Sequence, residues 1–247
     1  MATSYDFSGK IIVITGAASG IGLATAKALS ASNARLALCD LNVKGLESFD
    51  LAEGKHHVFK LDVTSSCDVA KTVESIAREF GTVSHLFNCA GVNPTAYPLT
   101  ETTDEYWNKI VDTNVKGTYL MTRAIIPHLK VGSSIVNVSS IAGSRAMAGW
   151  AIYNASKFGI VGFSKSMALE LGPKQIRVNV VAPGHVHTPT NIAVKQGDDA
   201  VKAVGKQASA MERIGTMEEV VSVVLFLMSD AASYVNGSVV EVDGGAK

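Results

Sequence analysis

The stretch IIVITGAASGIG, from Ile11 to Gly22, joins an apolar run to the start of a helical pattern. Glycine loses more backbone freedom on folding than any other residue, so a cluster of glycines in ordered structure needs a reason. One reason is that a glycine-rich turn between a strand and a helix lets a pyrophosphate reach backbone N–H groups at the positive end of the helix dipole. On that interpretation Gly16 permits the tight turn, Gly20 the close approach and Gly22 close helix packing. An ordinary strand–helix connector is the alternative.

Composition favours one large α/β domain over residues 1–247. The chain has 247 residues, of which 47% are hydrophobic and 18% charged, so it can bury a sizeable core. Twenty-two basic residues balance 22 acidic ones. Zero net charge gives no electrostatic case for nucleic acid or for an anionic membrane, and we expect neither as a partner.

Cysteine usage and hydropathy bear on the compartment. Cys39, Cys67 and Cys89 have no paired spacing and form no CxxC motif, which suits a reducing compartment and gives no reason to predict a metal site. The N-terminal residues have no apolar core behind a basic end, so no signal peptide is evident. The longest apolar run, at 220–228, is too short to span a bilayer. We therefore expect a cytoplasmic protein.

Apolar runs alternate with longer helical patterns along the chain. Strands are predicted near 11–15, 35–40, 57–62, 85–89, 134–139, 177–182 and 238–242, and helices near 20–31, 66–80, 103–129, 152–171 and 216–229. The strands are continuously apolar, as in a parallel sheet covered on both faces. The pattern predicts a single-domain, Rossmann-like, doubly wound parallel sheet of about seven strands with helices on both faces. Residues 184–210 are less regular, and we interpret this lid segment as a cover over the substrate.

An acidic residue supports the dinucleotide interpretation of the glycine turn. Asp40 ends the apolar run RLALCD, 18 residues after Gly22. A carboxylate at this position accepts hydrogen bonds from an adenosine ribose and repels a 2′-phosphate. A polar residue that merely closes a strand is the alternative. Together, the turn and the acid predict NAD as the cofactor, with NADP less favoured.

The candidate chemical group is YNASK at 153–157. Tyr153 and Lys157 are four residues apart and share one helix face. A neighbouring ammonium favours the phenolate and would move the tyrosine pKa toward neutral, as acid–base catalysis requires. A surface Tyr–Lys pair is the alternative. The preceding strand ends in Ser139 and Ser140, which places a hydroxyl at the expected site.

These motifs resemble those of the short-chain dehydrogenases/reductases over essentially the whole chain. Thr15–Gly22 matches the TGxxxGIG cofactor turn, and Asp62-Val63 matches an adenine-contacting pair. NCAG at 88–91 departs from the commoner NNAG, with a cysteine in place of an asparagine. DTNVKG at 112–117, PGHVHT at 183–188 and VDGG at 242–245 match further family segments.

The resemblance implies specific roles for residues of this chain. Ser140 is 13 residues before Tyr153, the family's serine–tyrosine spacing, so Ser140 rather than Ser139 is the predicted catalytic serine. Since neighbouring strand residues point to opposite faces, the choice matters. The implied catalytic residues are Asn114, Ser140, Tyr153 and Lys157. The implied cofactor-binding residues are Gly16, Ser19, Gly20, Ile21, Gly22, Asp40, Leu41, Asp62, Val63, Asn88, Ala90, Gly91, Tyr153, Lys157, Pro183, Gly184, Val186 and Thr188.

The implied reaction is hydride transfer between a secondary alcohol or ketone and a nicotinamide. In it Tyr153 exchanges the proton, Ser140 orients the substrate oxygen, Lys157 holds the nicotinamide ribose and Asn114 anchors a water. Three alternatives remain open at this point. The first is a 3-oxoacyl-carrier-protein reductase or a sugar or polyol dehydrogenase. The second is an enzyme that catalyses an epimerisation or a dehydration. The third is a non-catalytic regulator that binds a dinucleotide.

Substrate and assembly are the least specified features. The implied substrate-binding residues are Ser140, Trp150, Tyr153 and His185. The resemblance also implies that Val92, Pro94, Ala146 and Met147 line the walls of the substrate pocket. Such walls suit a neutral, small hydrophobic or cyclic ketone or alcohol. The alternative is that Met147 and Trp150 only pack between helices. The family resemblance also implies a homotetramer, or else a dimer, in which the helix carrying Tyr153 packs on its symmetry mate.

Overall fold

The computed structural model describes residues 5–47, 49, 55–93, 95–189, 191 and 196–247. Seven parallel strands form one sheet in the order β3-β2-β1-β4-β5-β6-β7. Strand order reverses between β1 and β4, and in the register of β1 Thr15 lies opposite both Cys39 and Asn88. The strands are β1 Ile11–Thr15, β2 Arg35–Asp40, β3 His56–Lys60, β4 Val83–Asn88, β5 Leu129–Val138, β6 Arg177–Pro183 and β7 Val239–Val242.

Helices cover both faces of the sheet. The α-helices are α1 Gly20–Ala31, α2 Ser66–Phe80, α3 Asp104–Val111, α4 Gly117–Ile125, α5 Ala151–Leu171, α6 Asp198–Ala208 and α7 Met217–Met228. Core residues of α1 and α7 pack on one face, and those of α2, α4 and α5 on the other. None of the helices in the described part of the chain is long and apolar enough to cross a membrane.

The apolar strands are buried as the sequence pattern predicts. All six residues of β4 are buried, as are four of the five in β1. A strand covered on both faces has no solvent side and shows no alternation, which explains its continuous hydrophobicity. The predicted doubly wound parallel sheet of seven strands is confirmed.

The prediction of one long helix over 103–129 is wrong. Helix α3 ends at Val111, a π-helical turn spans Asp112–Lys116, and α4 follows. Pro127 lies in the short 3₁₀ turn that follows α4 and has no N–H to continue the helix. Strand β5 therefore starts at Leu129, five residues earlier than expected.

The lid segment contains a helix that the sequence analysis did not assign. Helix α6 lies within it, while residues 190 and 192–195 fall outside the described residues. Isolated bridges join Val186 to Gly215 and Ser209 to Ala246. The two ends of the lid segment are thus tied to the start of α7 and to the C-terminal residues.

Candidate active site

A cavity of about 780 Å³ opens at the carboxyl ends of the strands, next to the point where strand order reverses. Ligands of open α/β sheets bind at this point, because the loops on either side of the reversal diverge. Gly16 and Asp40 line one end of the cavity, and Tyr153 and Trp150 line the other.

The glycine turn forms a close-packed floor at the first end. Gly16 has φ +67°, and a Cβ there would lie 2.9 Å from the Ala90 Cα. A Cβ on Gly22 would lie 2.0 Å from the Gly16 carbonyl oxygen, so the start of α1 can pack here only without a side chain. Gly20 differs, because a Cβ at that position would meet nothing within 4 Å. Its open side is room for a ligand.

The N-terminus of α1 faces this open space. Ser19 is the N-cap residue, but its side chain makes no capping hydrogen bond. Ser19, Gly20 and Ile21 all line the cavity. Uncapped N–H groups at a helix N-terminus attract an anion such as a pyrophosphate. This arrangement fits the dinucleotide predicted from the sequence.

Asp40 is held at the rim of the cavity by its neighbours. The Ala18 N–H donates to Oδ2 of Asp40 at 2.9 Å, and the Asn42 N–H donates to Oδ1 at 2.9 Å. The carboxylate therefore has a fixed direction. Leu41 is exposed beside it and also lines the cavity. Arg35, at the opposite end of β2, lies over the Phe80 ring at 5.0 Å from its centroid.

The NCAG turn after β4 is fixed by the first strand. The Thr15 hydroxyl accepts the N–H groups of Cys89 and Ala90, each at 3.1 Å. Ala90 and Gly91 line the cavity, as do Asp62 and Val63 after β3.

Asn88 is not among the residues that line the cavity. Its side chain is buried and donates to the Thr122 hydroxyl at 3.0 Å and to the Asn137 amide oxygen at 2.9 Å. The asparagine therefore braces the sheet from within, and the cavity is lined by the residues that follow it. Gly22 likewise serves the turn through its packing on Gly16.

Tyr153 and Lys157 lie at the other end, on the first turns of α5. Their exposed fractions are 8% and 6%. The Lys157 Nζ lies 5.6 Å from the centroid of the Tyr153 ring and donates to the Val138 carbonyl at 3.1 Å. Both side chains line the cavity, so the surface-pair alternative does not apply.

Burial controls the protonation of this pair. It lowers the pKa of Lys157 to about 8, an effect that nearby Cys89 partly opposes. It also raises the pKa of Tyr153 to about 12, and a hydrogen bond with Ser140 only partly opposes this rise. The expectation that the Lys157 ammonium lowers the tyrosine pKa is thus not met in this structure. The cost of burying a phenolate exceeds the stabilisation that the Lys157 ammonium offers, because that ammonium is hydrogen-bonded to a carbonyl.

The two serines after β5 have separate tasks. Ser139 is buried, and its hydroxyl donates to the Lys157 carbonyl at 2.9 Å. The Ser140 hydroxyl lies in hydrogen-bonding reach of Tyr153 and accepts the Ala142 N–H at 3.2 Å. Ser140 is therefore the serine placed beside the tyrosine, as its spacing predicts.

Asn114 lies at the centre of the π-helical turn. Its Oδ1 accepts the Val92 N–H at 2.8 Å, and its Nδ2 donates to the Val92 carbonyl at 3.2 Å and to the Ser156 hydroxyl at 3.3 Å. The side chain thus ties the segment after NCAG to α5. Its backbone carbonyl accepts the Thr118 hydroxyl at 2.9 Å.

The segment after β6 forms another cavity wall. Pro183, Gly184, Val186 and Thr188 all line it. A Cβ on Gly184 would lie 2.7 Å from the Asp243 Cβ, so this wall packs tightly on the end of β7.

Comparisons with known proteins agree with this geometry. A family model described as enoyl-(acyl carrier protein) reductase matches residues 16–247. A short-chain dehydrogenase/reductase of Pyricularia oryzae, ABA4, is 38% identical over 96% of this chain and 91% of its own. The chain belongs to the short-chain dehydrogenase/reductase family. Members of this family are oxidoreductases that use a nicotinamide dinucleotide.

Two solved structures of the family have the same fold. A Brucella melitensis short-chain dehydrogenase/reductase, titled glucose/ribitol dehydrogenase, is 34% identical with a TM-score of 0.92, covering 98% of each chain. A 3-ketoacyl-(acyl-carrier-protein) reductase of the same organism, complexed with NADH, is 30% identical with a TM-score of 0.86. That match covers 97% of this chain and 99% of the other.

Beyond Tyr153, the cavity of this short-chain dehydrogenase/reductase is largely apolar. Val92, Met147 and Trp150 line it, and the Trp150 and Tyr153 rings meet edge-on with centroids 5.4 Å apart. Met147 and Trp150 also pack against a small core cluster containing Ile152, so both interpretations of these residues hold. Ala146 is exposed, and Pro94 lies outside the described residues.

His185 also lines this end of the cavity. Burial lowers its pKa below the ordinary histidine value, which favours the neutral imidazole at neutral pH. Its backbone carbonyl accepts the Gly215 N–H at 2.8 Å. His185 is exposed to solvent by its surface area and offers a polar group beside the apolar residues of the cavity.

Some lining residues were missed from the sequence. Thr64 and Thr113 follow or precede motif residues, so adjacency was an available indication. Lys109 lies one helical turn before Thr113, on the same face, and no motif marks it. The further lining residues are Cys39, Leu61, Thr64, Cys89, Asn93, Lys109, Thr113, Val138, Ser139, Ile141, Pro189 and Asn191.

Proposed function

We propose that this protein is an NAD-dependent short-chain alcohol dehydrogenase or ketoreductase. The observation that carries the proposal is that Ser140, Tyr153 and Lys157 line one end of a cavity whose other end is lined by Asp40 and the glycine turn. Asp40 would hold the adenosine ribose of a dinucleotide bound along this cavity, and Tyr153 would face the substrate with which that dinucleotide exchanges a hydride.

The chain supplies proton transfer and positioning, while a bound nicotinamide supplies or accepts the hydride. In ketone reduction the Tyr153 hydroxyl donates its proton to the carbonyl oxygen as that oxygen gains negative charge. A pKa of about 12 keeps the proton on Tyr153 until it is needed. In alcohol oxidation the Tyr153 hydroxyl would first pass its own proton toward Lys157 and solvent, and the resulting phenolate would then accept the substrate's hydroxyl proton. Ser140 orients the substrate oxygen in both directions.

Lys157 and Asn114 support the tyrosine in this proposal. Lys157 would hold the nicotinamide ribose, and its ammonium would stabilise the phenolate once that phenolate forms. With a pKa of about 8, it is mostly protonated at neutral pH. Asn114 keeps the Val92 backbone and the catalytic helix together and anchors the water through which Lys157 exchanges protons with solvent.

The charge at the adenosine end supports NAD over NADP. The fixed Asp40 carboxylate accepts hydrogen bonds from a ribose hydroxyl and repels a 2′-phosphate. Arg35 lies at the far end of the same strand, stacked on Phe80, and does not offset this charge.

The apolar substrate end supports a neutral, small hydrophobic or cyclic ketone or alcohol. Met147 and Trp150 provide apolar contact area for such a substrate. Ser140 and Tyr153 bind its reacting oxygen, and His185 offers one further hydrogen bond. A 3-oxoacyl-carrier-protein reductase and a sugar or polyol dehydrogenase are the alternative activities, and the two Brucella relatives are named as enzymes of these two kinds.

Helix α5 supports a homotetramer, with a dimer as the alternative. Away from the cavity it exposes Phe158 at 47% and Leu169 at 81%, and the small residues Gly159 and Gly162 lie exposed between them. A face that is apolar and has small residues permits close packing against a second copy. The three free thiols support a cytoplasmic location.

The test is an NAD- and NADP-linked screen over cyclic ketones, sugars, polyols and acyl-thioesters. Net change in nicotinamide absorbance with a cyclic ketone supports the proposal. Bound dinucleotide without turnover of any substrate would instead indicate a regulator. Product formed without a net change in the nicotinamide would indicate epimerisation or dehydration.

A further inference from the structure

One amide side chain holds the loop between Ser140 and α5, residues 141–150, here called the substrate loop. The Asn154 Nδ2 donates to the carbonyls of Ala142 at 2.8 Å and of Arg145 at 2.7 Å. Its Oδ1 accepts the Met147 N–H at 3.4 Å. Asn154 therefore contacts three backbone groups spread over six residues of the loop.

These bonds are sheltered from water. Asn154 is 8% exposed, and Ala142, whose carbonyl it contacts, is fully buried. A buried acceptor that loses its donor keeps the full cost of desolvation. The inner side of the loop is therefore held by the amide donors of Asn154.

The outer side of the same loop is held differently. The Arg145 guanidinium lies 3.8 Å from the Asp243 carboxylate and 4.0 Å from that of Glu241, and it also donates to the Ala246 carbonyl. Arg145 and Glu241 are exposed, and exposed ion pairs contribute little to stability. Solvent therefore competes for the contacts of Arg145, although the Asp243 side chain is only 10% exposed, whereas the Asn154 side chain is itself buried.

The loop presents its apolar side chains to the cavity. Ile141, Met147 and Trp150 line the substrate end, and the Trp150 ring rests against Tyr153. Since Asn154 directly follows Tyr153 on α5, the residue that holds the loop is rigidly linked to the proton-transferring phenol.

We propose that Asn154 is a positioning residue that sets substrate specificity by fixing Met147 and Trp150 relative to Tyr153. The proposal rests on the proposed function, since specificity has meaning only for an enzyme that turns over. The consequence is selective: loss of the amide donors loosens the apolar wall, whereas the contacts of Lys157 with Val138 and of Ser139 with α5 remain.

Two variants separate the donors from the volume of the side chain. Asn154→Leu keeps the size and removes all hydrogen bonding. Asn154→Asp keeps the size and the acceptors but removes the donors to Ala142 and Arg145. Both should raise KM about tenfold for a cyclic ketone that fills the apolar end, and should change KM for a small acyclic ketone less than twofold. The kcat for the small ketone should stay within threefold of the parent value.

A fluorescence measurement tests the loop without any turnover. The chain has two tryptophans, Trp107 and Trp150, so Trp107→Phe leaves Trp150 as the sole tryptophan. In that background, without cofactor, both Asn154 variants should raise the acrylamide quenching constant of Trp150 at least twofold. Asn154→Ser keeps one donor and should give an intermediate value, which also serves if the Leu variant does not fold.

Asn236→Leu is the matched control. Asn236 donates to the Ala168 carbonyl of the same helix at 2.9 Å and accepts the Val178 N–H at 2.8 Å, at the end of α5 away from the cavity. It should lower Tm and leave the quenching of Trp150 and the KM ratio unchanged.

The outcomes distinguish this inference from the proposed function. Failure of the parent protein to turn over any ketone removes the proposed function, but the quenching data still decide whether Asn154 holds the loop. Unchanged quenching in both Asn154 variants overturns the inference. Equal quenching in Asn236→Leu overturns it as well, since the effect would then be a general loosening.

Discussion

Replacing Asp40 by alanine should narrow the preference for NAD over NADP. Two unit charges 4 Å apart interact by about 1 kcal/mol in water and by about 4 kcal/mol at an effective dielectric constant of 20. Asp40 is half-buried at the cavity rim, with both oxygens held by the N–H groups of Ala18 and Asn42, so it cannot turn away from a 2′-phosphate. We expect the repulsion to be about 2–3 kcal/mol, a preference for NAD of about 30- to 150-fold in kcat/KM.

The assay compares kcat/KM for NAD and NADP with one alcohol substrate in the parent protein and in Asp40→Ala. The ratio should fall at least tenfold in the variant, because the repulsion is lost together with the hydrogen bonds to the ribose. Asp62→Ala is the control, since that carboxylate lines the cavity next to Val63 and accepts from Thr64. Asp62→Ala should lower kcat/KM for NAD and kcat/KM for NADP by the same factor. A parent protein that prefers NADP would refute the reasoning.

Three further predictions concern charge, packing and assembly. Lys157→Met should abolish turnover yet stabilise the cofactor-free protein by about 1–3 kcal/mol at pH 7, because burial lowers the Lys157 pKa from 10.5 to about 8. In the parent protein the free energy of unfolding should rise between pH 8 and 10.5, because the unfolded chain binds more protons than the folded chain in this range. The Tm values of the parent and of Lys157→Met should therefore converge over this range in thermal melts. Gly22→Ala should destabilise by at least 2 kcal/mol in urea melts, because its Cβ would lie 2.0 Å from the Gly16 carbonyl oxygen, whereas Gly172→Ala, with φ −52°, should stay within about 1 kcal/mol. Light scattering at micromolar concentration should give a tetramer mass, and a monomer mass would contradict the proposed packing of α5.

The parts of the fold that were predictable are those fixed by local pattern. Strands buried on both faces show as continuous apolar runs, and β1, β2 and α1 begin and end as predicted. The π-helical turn at Asp112–Lys116 was not predictable, because its cause is a long-range contact: Asn114 binds the Val92 backbone, 22 residues away. The early start of β5 was not predictable either, because it depends on pairing with another strand: Leu129 lies opposite Val83 of β4.

The candidate site divides in the same way. The spacing of Tyr153 and Lys157 was enough to predict that they share a helix face, and the resemblance to the family implied Ser140 as their partner. The direction of the Asn88 side chain could not be predicted, because it depends on Thr122 and Asn137, which lie on other elements. The predicted direction of the Tyr153 pKa shift differs from that in the structure, because the sequence shows the neighbouring lysine and does not show the depth of burial.

The central claim is that Tyr153 carries the proton of a hydride-transfer reaction. The most direct measurement is turnover of Tyr153→Phe with a substrate of the parent protein, alongside NADH affinity by fluorescence titration. Loss of the phenol proton should lower kcat about 10²- to 10⁴-fold, the usual contribution of a positioned acid–base group. The NADH Kd should change less than threefold, since the ring and Lys157 remain. A variant that keeps more than a tenth of the parent kcat would contradict the account.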